Sequence, residues 1–574
     1  MSAHHLKFFV AFALLSSACE EPPRPTPQPT QAPQAQPTHA VATPGPNAPA
    51  EAPPSAARGG AASTEPGPQR PDAHVKLDYP GPWFIVTARE TGVYADTKAD
   101  RNTKLAWARN GGRLAVLPDV TKSETCSAGW YQLTTGGYVC GKDGAIEVEG
   151  KKTRSTLKQP ALEDILPYKY ARNSKHGTPL YRSIPSPEQM LEYEPYLAEK
   201  KANKTAAGKE KTPDADAGTE QIASDAGKLA PTASSATPRT PVPDAGAPEP
   251  ELELSEAEVS ALNDAGVPWW QKDDASVHDV TLDQLEEEGD GILAKRMVAG
   301  FYVAVDSVFH WNKRTWYKTT KGMVAPADRF WVTAGPEFKG VELDGTNYAL
   351  PVAWVYGWRK EAVLYELDEA KDTLKPKGTA KLFQALKLSG RTRSVRGKPY
   401  HELAEGLWIS DRSIRVTQPG PPPAGLLPTE RWVDVDLSQQ TLVVFEGTRP
   451  VYATLVSTGK SSKIKEKDHS TPIGEWRIRE KHITTTMDGD GTAAGDLPYS
   501  IEDVPYAMYY YKAFALHGAF WHKNFGTQMS HGCVNLAPLD AKWLFFFTDP
   551  PVPHGVHGVW ARDNQPGSRV VVHE

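Results

Sequence analysis

Short alternations of apolar and polar residues fill the last quarter of the chain. Trp432–Leu437, Thr441–Phe445 and Val451–Val456 each alternate, separated by turns at Ser438-Gln439-Gln440 and Glu446-Gly447. That period of two predicts paired strands. Upstream, three segments share a looser pattern: an aromatic or apolar pair, a polar turn with glycine, then an apolar strand. They are Gly129–Gly141 (GWYQLTTGGYVCG), Thr315–Ala325 (TWYKTTKGMVA) and Tyr400–Asp411 (YHELAEGLWISD). Alternation about glycine turns predicts hairpins, and recurring hairpins predict small β-barrels rather than helical repeats. One helix stands out. Pro538 sits at a first helical position, Asp540 falls in the first turn, and Leu539–Phe547 continues as an amphipathic or buried helix. The expected fold class is mainly β.

Composition divides this length into parts. At 574 residues the chain calls for three to five folded units, yet 51 prolines and 46 glycines require stretches that bury nothing. Residues 20–76 are Pro, Ala, Gln and Thr with little else, a disordered tether. Residues 200–262 repeat Asp-Ala-Gly at Asp216, Asp225 and Asp244, a second disordered segment. Gly177–Arg182 and Met297–Val305 read as parts of one domain flanking that insertion. The domain order is then 1–19 as a signal peptide, 20–76 as the tether and 77–150 as a β module. A second module spans 163–330, interrupted at 200–262, a third spans 331–428, and a C-terminal domain spans 429–574.

The apolar run Phe8–Leu15 follows Lys7 and ends in Ser16, Ser17, Ala18 and Cys19. It is far shorter than the roughly 20 residues a spanning helix needs, and it reads as an export signal. Small residues before Cys19 resemble a bacterial lipoprotein box, which implies a lipid on Cys19. The other reading is an ordinary secretory signal cut near Ala18. Both place the protein in the periplasm or cell envelope. With 64 Lys and Arg against 70 Asp and Glu, the charge is too even for a nucleic-acid footprint, and the expected oligomeric state is a monomer.

The three hairpin segments resemble bacterial SH3-like modules, which implies attachment to the cell wall or to a partner; simple spacers are the other reading. Cys126 and Cys140 flank the first hairpin. In an exported chain such a pair is most simply a disulfide, stabilising the loop by roughly 3 kcal/mol. Zinc is the runner-up, without a histidine pair nearby.

Cys533 is then left as a lone thiol. Around it stand Ser530-His531-Gly532-Cys533-Val534-Asn535, and upstream lies Leu516-His517-Gly518-Ala519-Phe520-Trp521-His522. A thiol of ordinary pKa is mostly protonated at neutral pH, so a nucleophilic cysteine needs a neighbouring base. His517 and His531 can each supply one. Gly518 is expected to turn the chain after His517, and Gly532 to free the backbone so that amides there form an oxyanion hole. His522, His554 and His557 read as surface residues. Tyr510 and Trp521 are candidates for the substrate cleft. Asp488 and Asp490 in MDGDGTAAGD lack the twelfth-position glutamate of a calcium loop, since Tyr499 stands there, so a mobile loop over the cleft is expected. No metal and no cofactor is called for.

The segment from about Arg431 to Val572 resembles the L,D-transpeptidase catalytic domain of the YkuD family. The resemblance rests on His517-Gly518, then Ser530-His531-Gly532-Cys533 with Asn535 two places on. Ser457-Thr458-Gly459, Thr471-Pro472-Ile473-Gly474-Glu475-Trp476 and a closing strand Arg569–His573 support it. It implies a cysteine acyltransferase acting on peptidoglycan stem peptides, with Cys533 as nucleophile and His517 as base. His531, Gly532 and the Cys533 amide would hold the oxyanion, while Ser530 and Asn535 support the loop. A hydrolase or amidase on the same fold, or a non-catalytic wall-binding lipoprotein, are the alternatives. An NlpC/P60-type peptidase is excluded by chain order, because His517 precedes Cys533.

Overall fold

The computed structural model describes residues 77–147, 157–198, 269, 280–286, 291–489 and 498–574. The signal peptide with Cys19, the tether 20–76, the insertion 200–262 and Asp490 lie outside the described residues. Among the described residues no helix is long and apolar enough to cross a membrane.

The chain is mainly β and ends in a β-rich domain. In that domain the observed strands Arg431–Asp436, Thr441–Glu446 and Arg449–Leu455 form an antiparallel meander. The chain's final strand, Arg569–His573, joins parallel to the first of them and carries Gly474–Arg477 on its far side. The turns between strands use backbone room. Gln440 has φ +53° and Gly447 has φ +56°, left-handed conformations in which a Cβ is costly. A second set of strands, Glu480–Gly489, Tyr499–Tyr511, Phe514–Gly518 and Val534–Leu536, faces the first. The helix Pro538–Phe547 follows. One core joins all three: Val433, Val435 and Leu442 from the meander, Tyr506 and Met508 from the second set, and Leu544 and Phe545 from the helix.

Upstream lie three small β units built on one local plan. In each hairpin a glycine donates back three residues while its successor's carbonyl accepts. Gly136 N–H bonds Leu133 O at 3.0 Å, Gly322 N–H bonds Thr319 O at 2.9 Å, and Gly406 N–H bonds Leu403 O at 2.8 Å. These glycines have φ of +92°, +84° and +85°. A 3-10 turn and a short strand follow every time, at Gly141–Ile146, Ala327–Thr333 and Asp411–Val416. Cys126 and Cys140 form a disulfide across the first hairpin. Thr178–Tyr181 pairs with Leu293–Met297, so the segments on either side of the insertion share a sheet.

The units dock on the C-terminal domain rather than trailing from it. Ala106 and Trp107 of the first unit pair with Val559 and Gly558, and Tyr302 of the second pairs with Ile501. Where these meet, Arg109 Nη1 donates to Asp503 Oδ1 at 2.9 Å, and Arg109 Nη2 donates to Thr320 O at 3.0 Å. Thr484 Oγ1 donates to Asp503 Oδ1 at 2.7 Å, and Thr320 also donates to this carboxylate. Tyr170 donates to the Asp503 carbonyl. Three parts of the chain therefore share one buried carboxylate.

Candidate active site

His517 lies on a strand whose parallel neighbour, Val534–Leu536, begins directly after Cys533. Leu516 pairs with Val534 and His517 with Asn535. Opposed residues in a parallel pair project to one face, and alternate residues repeat that face. His517 and Asn535 therefore share a side, and Cys533 stands in the bend directly before the second strand, two places before Asn535. His517 is buried, 2 % exposed, and its Nδ1 lies 3.4 Å from Gly518 O. That contact fixes the proton on Nδ1 and leaves Nε2 as the basic nitrogen. The Trp521 ring stacks on the imidazole at 5.6 Å and 27°.

Cys533 is the free cysteine among the described residues and is partly exposed. Its Sγ donates to Ala513 O at 3.8 Å, and no hydrogen bond joins it to His517 in this resting arrangement. Desolvation pushes the thiol up to about 11. Burial likewise lowers His517 to about 4, more than its Gly518 contact raises it. At neutral pH the pair rests as thiol and neutral imidazole.

The loop before the thiol is stapled on every side. Gly532 has φ +118°, and a Cβ there would lie 2.2 Å from Phe514 Cε1; only glycine fits. Ser530 Oγ accepts from Gly532 N–H at 3.1 Å and donates to Cys533 O at 2.5 Å. The Gly532 amide, expected to help hold an oxyanion, is instead bonded to Ser530 Oγ in the resting loop. Thr471 Oγ1 accepts from Gly459 N–H at 2.9 Å and donates to Gly532 O at 2.8 Å. Gln440 holds the same strut through Thr458 N–H at 2.9 Å and Thr458 Oγ1 at 2.6 Å. Gly518 does not turn the chain; it ends a strand against Pro505 Cγ and Ala541 Cβ, 3.1 and 3.4 Å from where a Cβ would stand.

Other expected residues fall differently. His531 is exposed, stacked on Tyr499 at 5.1 Å and edge-on to His469 at 4.6 Å. Tyr510 belongs to the core, 2 % exposed and packed near Trp476, because its strand turns that ring between the sheets. His554 is exposed as expected. His557 is not: it is buried against Trp107 at 4.5 Å, with Nε2 3.0 Å from Thr484 Oγ1. His522 is half-buried rather than fully exposed, and burial lowers it to about 4. His522 Nδ1 accepts from Asn524 N–H at 3.3 Å, which puts its proton on Nε2, 2.9 Å from the Asn535 amide. Turning that amide over presents Oδ1 to the Nε2 proton and gives a partner to a buried oxygen otherwise without one. Asn535 thus links His522 to the strand position beside His517. Thr471, Gln440 and His522 were not singled out from sequence; Thr471 alone carried a signal, inside the segment Thr471–Trp476.

Residues 430–572 match the YkuD family, described as the L,D-transpeptidase catalytic domain. A putative L,D-transpeptidase, YciB of Bacillus subtilis, is 25% identical over 130 residues, covering 20% of this chain and 59% of that protein. A crystal structure of the Enterococcus faecium L,D-transpeptidase is 23% identical, covering 25% of this chain and 50% of that one, with a TM-score of 0.19. The L,D-transpeptidase from Mycobacterium smegmatis is 20% identical over 33% of this chain and 82% of its own, with a TM-score of 0.20. This chain therefore spans between half and three fifths of the length of the bacillary and enterococcal proteins.

Proposed function

We propose, from residues 430–572 as an L,D-transpeptidase catalytic domain of YkuD type, that the protein forms a thioester with peptidoglycan stem peptides and passes it to an amine. Cys533 attacks the carbonyl between the third residue and D-Ala of a donor tetrapeptide. Its proton goes to His517 Nε2, after the sulfur swings from Ala513 O toward the imidazole. Hydrogen-bonding groups in resting cysteine sites tighten only with substrate in place. The Cys533 amide holds the oxyanion, and Ser530 keeps the Gly532 amide from competing for it. D-Ala leaves as an amine, taking the proton from His517, and the acyl group stays on sulfur. An acceptor amine, from a second stem or from a protein, then loses its proton to His517, attacks the thioester and restores the thiol.

The observation that carries this reading is the register of His517 and Asn535 on the strand pair that delivers Cys533. It supports the reading by seating a buried imidazole one strand away from the bend that carries the free thiol. The three β units would hold the wall as SH3-like modules, and a lipid on Cys19 would keep the enzyme at the envelope. Cys533→Ala is expected to abolish both D-Ala release from a tetrapeptide and the mass adduct with a carbapenem, with folding intact. Undiminished D-Ala release would remove the nucleophile from this scheme.

A further inference from the structure

Between the third β unit and the loop that follows His517 lies an open cavity of about 590 Å³. Its walls include Tyr356, Trp358, Arg359 and Arg412 from the unit, and Asn524 and Thr527 from the loop. Trp358 is 88 % exposed. Its ring stands on the cavity wall with an open face, available to stack on a planar group. Arg359 rests 5.0 Å over that ring. Neither Arg359 nor Arg412 is paired with a carboxylate among the described residues.

The loop wall is built rather than incidental. Arg415 Nε donates to Gly526 O at 3.0 Å, and its guanidinium lies 3.9 Å over Tyr356. Gly526 has φ +87°, and a Cβ there would meet Tyr356 Cβ at 2.9 Å. From this wall Asn524 reaches His522, and His522 reaches Asn535 in register with His517. The cavity and the thiol site are thus two sides of one segment.

We propose that this cleft binds a carboxylate-bearing peptide, presented as the second substrate of the transfer; the assignment to an acceptor rests on the function proposed above. Two unpaired guanidinium groups match carboxylates bidentately, the Trp358 and Tyr356 rings take planar amides, and Glu361 at the rim offers the opposite charge to an ammonium. A neutral sugar chain would use the rings and leave both arginines unpaired. The volume lies in the range of sites that enclose a short ligand.

The test uses the full chain with Cys533→Ala and calorimetric titration of a soluble acidic stem tripeptide, with a neutral chitin oligosaccharide in parallel. Arg359→Ala with Arg412→Ala, both exposed changes, is expected to weaken tripeptide binding roughly tenfold, as two exposed charge pairs allow. Raising salt should weaken the unsubstituted protein similarly. With Cys533 present, the same pair should raise the acceptor KM about tenfold and leave carbapenem acylation unchanged. Tripeptide affinity that ignores both arginines, or binding of the oligosaccharide alone, overturns the proposal. Arginine-dependent tripeptide binding by a protein that never acylates would uphold the cleft and sink the transferase reading. Acylation with an arginine-independent acceptor would do the reverse.

Discussion

Thr471→Val tests the claim that the Thr471 hydroxyl helps hold the loop before Cys533. Valine keeps the shape of threonine and removes its two bonds, to Gly459 N–H and from the side chain to Gly532 O. Thr471 is 3 % exposed, so bulk water does not reach the hydroxyl's place. Two buried backbone groups would lose their partners, at about 1–3 kcal/mol each. A total near 3 kcal/mol, taken up by local opening of the loop, lowers the population of the competent loop by about two orders of magnitude. The assay is the rate of carbapenem acylation at Cys533, followed by mass, beside a thermal melt of the same protein. Thr471→Ser keeps the oxygen and should recover most of the rate. If valine retains more than half the rate, or if serine loses as much as valine, the hydroxyl does not hold the loop.

Two further outcomes follow from the charges. With the thiol pushed up to about 11 and His517 lowered to about 4, the pair stays thiol plus neutral imidazole across the interval, so a proton passed from Cys533 to His517 during attack should leave the acylation rate level from pH 7 to 9; a tenfold climb for each pH unit would mean that thiolate formed by solvent, and not the transfer to His517, supplies the nucleophile. Burial raises the Asp503 carboxyl, but Arg109, Thr320 and Thr484 outweigh it and hold the group below the usual carboxylate range. Its contribution is therefore complete above the unfolded value near 4 and is lost as pH falls through the lower folded value. Asp503→Asn, which strands Arg109, should cost about 3–5 kcal/mol in a denaturant titration, and Arg109→Met with Asp503→Leu should recover most of it; equal losses in the single and double variants would show that the ion pair is not what matters.

The candidate site was readable because it is local. Ser530 to Asn535 lie in one short run, and His517 with Gly518 in another, so residue types and spacing alone bring up a free thiol and a candidate base. The hairpins of the three units were readable for the same reason: the bonds at Leu133, Thr319 and Leu403 close within four residues. Thr471 and Gln440 act on the loop from other strands, and His522 acts through Asn535, contacts that no periodicity records. His557 reads as a polar residue in a loop, and only Trp107, hundreds of positions earlier, makes it core. Gly518 was given the right importance for a local reason, when its need is the close approach of Pro505 and the helix.

The junction at Asp503 sets where the protein may be cut. A fragment starting at residue 430 would keep the thiol, the imidazole and the whole stretch that resembles other proteins. It would also strip Arg109 and Thr320 from a buried acid, bare the ring of His557, and open the strand Gly558–Trp560 to pairing with any passing chain. Sequence kinship stops at one residue and cooperative folding at a far earlier one. A truncation chosen by the first should precipitate, while one beginning ahead of the first hairpin unit should stay in solution.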